Sequence, residues 1–241
     1  AGSRRLDEGS ACSREEEWSL SNTTRLAAAA AIAAGMIAAA GCRDDPMADH
    51  PGRPLYMQYC AVCHGEDGHT VDDMPSTPHL NNQGLLTAVD DEFLYASIAR
   101  GRPGLNGSGK EGTKMSAFGS EHGGPMAPVE IQLVIGFIRG WQTEPAAALE
   151  PVAAGGDPAS GKALYDEQCL ACHMADGWSP IAPSLAGEVL QQAASDELLR
   201  HTIATGRLGT AMPAFALDES ELADLVAYLR ELGARSDATG R

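Results

Sequence analysis

Residues 60–64 read Cys60-Ala61-Val62-Cys63-His64, and residues 169–173 read Cys169-Leu170-Ala171-Cys172-His173. One five-residue pattern thus occurs twice, 109 positions apart. Two thiols three positions apart on a tight helical turn can each add across one vinyl group of a porphyrin. The next residue, a histidine, then projects under the ring toward the iron, so the pattern reads as covalent c-type haem attachment. Two other chemistries use paired cysteines. A thioredoxin-type dithiol needs a βαβ context, and no strand alternation is legible here. A zinc site would gather the four thiolates around one metal, but that does not account for a histidine after both copies.

Working outward, the self-similarity extends well beyond the motif, which marks a duplicated unit. Gly52-x-x-x-Tyr56 precedes the first copy as Gly161-x-x-x-Tyr165 precedes the second. Asp67-Gly68 and Asp176-Gly177 follow, then Pro78-His79-Leu80 and Pro183-Ser184-Leu185. Gly101-Arg102 pairs with Gly206-Arg207. Gly112-Thr113-Lys114-Met115-Ser116-Ala117-Phe118 pairs with Gly209-Thr210-Ala211-Met212-Pro213-Ala214-Phe215. Between the units, residues 144–158 (EPAAALEPVAAGGDP) have the composition of a linker separating two cores. The units read as helical. Ser195 is placed to cap a helix that Gly206 ends, and Asp218-x-x-Glu221 is a capping-box pattern. Leu222, Leu225, Val226 and Leu229 line one helical face, as do Ile131, Val134, Ile135 and Ile138 after Pro128.

These motifs resemble those of class I cytochromes c, small all-α domains that each wrap one covalently attached haem. The resemblance covers residues 51–143 as a first domain and 159–233 as a second, with 42–50 as a tether and 234–241 as a tail. It implies two tandem domains and two c-type haems, held by Cys60, Cys63, Cys169 and Cys172. The irons would be ligated by His64 and His173 and, from the other side, by Met115 and Met212. By the same resemblance the carbonyls of Pro78 and Pro183 would hold the histidine rings, Arg102 and Arg207 could meet haem propionates, and Gly52 and Gly161 would let the first helix of each unit pack on the last, against Phe137 or Tyr228. Met74 and Met126 compete for the ligand position in the first unit but suit core filling. Histidine–methionine ligation raises the haem potential relative to other axial pairs, which suits one-electron transfer.

Composition agrees. Only 5% of the 241 residues are aromatic, too few large side chains for two ordinary cores, and a haem supplies the missing apolar body. The net charge of −16 argues against nucleic-acid binding, which requires a basic face. The units differ in one respect: 51 positions separate His64 from Met115, but 39 separate His173 from Met212. Most of the difference is the Gly-rich stretch from Pro103 to Gly112. The expected function is electron relay between redox partners outside the cytoplasm, such as an oxidase, reductase, dehydrogenase or reaction-centre complex. The alternative is a diheme, peroxidase-like enzyme with an open site at the first haem.

The apolar run Leu26–Gly41 follows Arg25 and ends at Cys42. Sixteen residues are short for a membrane span and fit an export signal. Ala39-Ala40-Gly41-Cys42 resembles a bacterial lipobox, which makes Cys42 the expected lipidation site and 1–41 the signal. An uncleaved Ala-rich anchor and an ordinary cleaved signal are the other readings. All three place the folded part in the periplasm or its equivalent, and the first two tie it to the membrane. Cys42→Ser should therefore leave the protein unprocessed or release it from the membrane fraction. Detergent-extracted wild type that retains residue 1 by mass would select the uncleaved anchor instead.

Overall fold

A computed structural model describes residues 47–70, 77–102, 115–179 and 181–238. Cys42 and the proposed signal, Met74, the stretch Pro103–Gly112 and Lys114 lie outside the described residues. Among the described residues ten α-helices run in two matching sets of five. The first half holds α1 (Arg53–Tyr59), α2 (Ala61–His64), α3 (Gln83–Leu86), α4 (Asp91–Arg100) and α5 (Pro128–Arg139). The second holds α6 (Pro158–Gln168), α7 (Leu170–His173), α8 (Glu188–Ala193), α9 (Asp196–Thr205) and α10 (Glu219–Ala238). Among the described residues there is no strand, only two isolated bridges, Arg102 with Met115 and Gly119 with Met126. The fold is all-α in two tandem domains. No described helix is long and apolar enough to cross a membrane.

Local chemistry sets the helix ends. Asp90 and Ser195 cap α4 and α9 by accepting from the backbone N–H of Phe93 and Leu198. Asp218 and Glu221 satisfy each other's backbone N–H at the start of α10, at 2.8 and 2.9 Å. Gly101 and Gly206 end α4 and α9 at φ +72° and +67°, a region open to glycine because it has no Cβ.

In each half the first helix crosses the last at a glycine. A Cβ on Gly52 would lie 1.9 Å from the Leu133 carbonyl oxygen, and one on Gly161 would lie 2.0 Å from that of Asp224. That close approach lets the buried Tyr56 and Tyr165 reach Phe137 and Tyr228, with ring centroids 5.1 Å apart in both cases. One arginine per half then ties the last helix to the middle ones. Arg139 donates to Asp91 and to the Leu86 and Val89 carbonyls. Arg230 does the same with Asp196 and the carbonyls of Gln191 and Ala194. Each guanidinium thereby satisfies carbonyls left open where α3 or α8 ends.

The linker composition does not keep the halves apart. Residues 143–147 are pinned to α3: the Gln83 side chain accepts from the Thr143 and Glu144 N–H groups, and Ala147 N–H donates to Thr87. The buried apolar side chains of both halves form one continuous cluster. Arg100, ending α4, donates to Gln192 on α8. The terminal segments are likewise part of the fold. Met47 lies against Gly140, and His50 accepts the Gly52 N–H and sits beside the Phe137 ring. Residues 234–238, read from sequence as the start of a tail, continue α10. Arg235 stacks over Tyr228 at 5.3 Å and pairs with Glu231 one turn back.

The helix crossing yields a stability prediction. Gly161→Ala forces a methyl group into backbone and should cost about 1–3 kcal/mol, the usual range for overpacking. Gly187→Ala, whose nearest contact would be 3.5 Å, should cost a small fraction of that. Denaturant melts of the two variants check this.

Candidate functional site

The two cysteine–histidine segments are built alike. α1 ends where the Cys60 N–H donates to Tyr56 O at 2.8 Å, and α6 ends where Cys169 N–H donates to Tyr165 O at 2.9 Å. One further turn, closed by His64 N–H to Cys60 O and His173 N–H to Cys169 O, carries the two thiols and the imidazole. Each tyrosine hydroxyl then fastens the exit, Tyr56 to Gly65 O at 2.7 Å and Tyr165 to Met174 O at 2.6 Å. Gly65 takes φ +74° there; Met174 takes +63°, the one non-glycine among the described residues with positive φ. That conformation costs about 1 kcal/mol or more, and the tyrosine bond holds it. None of the four motif cysteines is joined in a disulfide. Before a haem is attached, burial and then the neighbouring Cys63 push the Cys60 thiol up to about 12, and burial and then Cys172 push the Cys169 thiol to about 11.

Each histidine is aimed by a proline carbonyl. His64 Nδ1 lies 3.1 Å from Pro78 O, and His173 Nδ1 lies 3.1 Å from Pro183 O. A carbonyl only accepts, so Nδ1 carries the hydrogen and Nε2 keeps its lone pair. Burial lowers the proton affinity of both rings against the opposing pull of the proline bond, which favours neutral imidazoles. The prolines are placed by a matching return of the chain: Leu80 N–H donates to Gly68 O at 2.8 Å, and Leu185 N–H to Gly177 O at 2.7 Å.

The methionine segments dock on the ends of α4 and α9 in the same way twice. Phe118 N–H donates to Ile98 O at 3.0 Å, and Phe215 N–H to Ile203 O at 3.1 Å. A Cβ on Gly101 would lie 2.4 Å from Met115 O, and one on Gly206 would lie 2.8 Å from Met212 O, so only glycine lets these segments cross. Arg102 and Met115 exchange two backbone hydrogen bonds, 2.8 and 3.1 Å, and Arg207 N–H donates to Met212 O at 3.0 Å. Met115 packs against the core, and Met212 is half-buried. Met126 is fully buried within the core.

Arg102 and Arg207 are shielded cations without a carboxylate partner among the described residues. Burial lowers the proton affinity of both, and Arg102 is further lowered by Arg207. The Arg102 guanidinium lies over the Phe93 ring at 5.4 Å and donates to Ser97. A pair of desolvated guanidiniums lacking anions suits a group that carries carboxylates.

The donor chemistry fits c-type haem: in each half two free thiols, a neutral imidazole with Nε2 available, a thioether segment and an unpaired guanidinium. Three of the four large apolar side chains left exposed among the described residues, Val62, Ile181 and Leu208, stand in these segments. The four thiols do not meet at one metal site, since no group of three metal-ligating side chains of the His, Cys, Asp or Glu type forms among the described residues. Sequence reading missed several supports. Ser179 donates to Cys172 O and accepts the Ile181 and Ala182 N–H groups, so it shapes the loop before Pro183. Arg139 and Arg230 had one available signal, their equal place in each last helix.

Known proteins agree with this geometry. The family described as cytochrome C oxidase, cbb3-type, subunit III matches residues 48–138 and 156–229, one segment over each half. The chain is similar to the Cbb3-type cytochrome c oxidase subunit CcoP of Azospirillum sp. strain B510, 29% identical over 194 residues, covering 76% of this chain and 61% of that protein. It is similar to the Cbb3-type cytochrome c oxidase subunit FixP of Bradyrhizobium diazoefficiens, 27% identical over 223 residues, covering 89% of this chain and 72% of that one. A cytochrome c6 of Thermosynechococcus vestitus is 32% identical over 93 residues, covering 36% of this chain and 81% of its own length. The chain thus spans about three fifths of the Azospirillum relative. A match over both halves, on two sites of one design, makes this chain a member of the cytochrome C oxidase, cbb3-type, subunit III family: a tandem class I cytochrome c with two c-type haems, an electron-transfer protein.

Proposed function

We propose that this chain relays single electrons to a terminal oxidase of the cbb3 type, outside the cytoplasm, and is tethered to the membrane through Cys42 or an uncleaved N-terminal anchor. The observation that carries the relay reading is the equivalence of the two sites. Each has a histidine ring fixed by a proline carbonyl at 3.1 Å and a methionine segment docked on the carbonyl of an equivalent isoleucine. A catalyst needs one open position, and two sites of one design suit a carrier. The names of the similar proteins support the oxidase as the partner.

In this reading Cys60 and Cys63 anchor the first haem, and Cys169 and Cys172 the second. His64 and Met115 are the iron ligands of the first site, and His173 and Met212 those of the second. Bound haem supplies a one-electron iron couple. The protein tunes it by holding neutral imidazoles through Pro78 and Pro183, and by presenting thioether sulfur, a soft ligand that favours the reduced metal. Arg102 and Arg207 would neutralise propionates and exclude water from that edge.

The purified protein should show two haems per chain that resist acid–acetone extraction, both low-spin when ferric, with a thioether–iron charge-transfer band for two sites. Met212→Ala and Met115→Ala should each open one site to carbon monoxide and lower the potential of that haem. A high-spin ferric haem on His64 in the wild type would select the peroxidase-like alternative.

The acidic surface gives a kinetic prediction. Electron transfer with a basic soluble partner should slow by about an order of magnitude as added salt shortens the screening length from about 30 Å to about 3 Å. A rate indifferent to salt would point to apolar docking or permanent assembly.

A further inference from the structure

The loop carrying Met212 touches the other half of the molecule through Asn82. The Asn82 side chain faces two ways. Its Oδ1 accepts the Leu85 N–H at 3.1 Å and caps α3, while its Nδ2 donates to Leu208 O at 2.5 Å. Leu208 lies between Arg207 and Met212; its side chain is 79% exposed, so the hold is on its backbone. Two glycines flank the approach, Gly209 more tightly than Gly84. A Cβ on Gly209 would lie 3.3 Å from Asn82 Nδ2, and one on Gly84 would lie 3.5 Å from Leu208 N. Within the loop, Thr210 N–H and Oγ1 donate to Arg207 O, and Met212 N–H donates to Thr210 Oγ1. The arrangement is one-sided. The residue capping α8, at the place that Asn82 takes before α3, is Gly187, which has no side chain to reach back.

We propose that Asn82 is a positioning residue for the second iron: from the first half it holds the loop that presents Met212, so methionine retention at the second haem depends on the docking of the two halves. This rests on the reading of Met212 as a ligand. Asn82→Ser keeps an oxygen able to cap α3 but cannot reach Leu208. Asn82→Asp keeps the cap and turns a donor into a charge facing a carbonyl.

The experiment follows displacement of methionine by imidazole in the ferric, two-haem protein, through loss of the charge-transfer band. The two sites are assigned with Met115→Ala and Met212→Ala. Asn82→Ser should speed displacement at the second haem roughly fivefold, about the worth of one hydrogen bond. Asn82→Asp should speed it at least as much. Both should lower the second potential and leave the first haem's displacement rate unchanged. An equal change at both haems would reduce Asn82 to a general stability role, and no change at the second would remove the clamp; either overturns the proposal. If instead Met212→Ala leaves the band intact, Met212 is not the ligand and the underlying reading fails.

Discussion

The contact on which each half depends is a hydrogen bond from a buried histidine ring to a proline carbonyl. It fixes the ring, the tautomer and the place where the chain returns after the cysteine pair. For the bond to form, the loop must close through Gly68 or Gly177, the turn must be locked by Tyr56 or Tyr165, and that tyrosine must be buried against the last helix. Burying a tyrosine so close to that helix requires glycine at position 52 or 161. The first and last helices therefore cross at backbone contact because of a constraint that begins at an imidazole nitrogen.

The duplication extends to parts of the structure outside the two cysteine–histidine sites. Arg139 and Arg230 make the same three kinds of contact, and Ile98 and Ile203 offer the same carbonyl. Where the halves differ, the difference lies in reach. The first has a side chain at the α3 cap that extends to its neighbour, and the second has glycine there. Two copies of one domain have thus become unequal partners with little change to either site.

Much of this was legible in the sequence because it is local. The CxxCH turns, the Ser195 cap, the Gly206 helix end and the Asp218–Glu221 box each lie within a few residues, and the repeat exposes equivalent positions by simple comparison. What was not legible depends on distant chain segments. The composition of residues 144–158 signals a linker but not the Gln83 side chain that captures its start. Asn82 carries no signal in the sequence, because its partner Leu208 comes 126 positions later. The continuous apolar cluster is hidden for the same reason, since each half has an amphipathic pattern that would also serve an independent domain.

The two-bond bridge between Arg102 and Met115 has a consequence for how such a protein can change. Twelve residues separate these positions in the first half, and four separate Arg207 from Met212 in the second. By polymer statistics, closing the longer ring costs on the order of 1 kcal/mol more. Because the bridge fixes both ends, insertions between them leave the methionine backbone where it was. That interval can therefore accumulate length and new sequence at low cost, and natural variation can explore fresh surface there without moving the Met115 backbone.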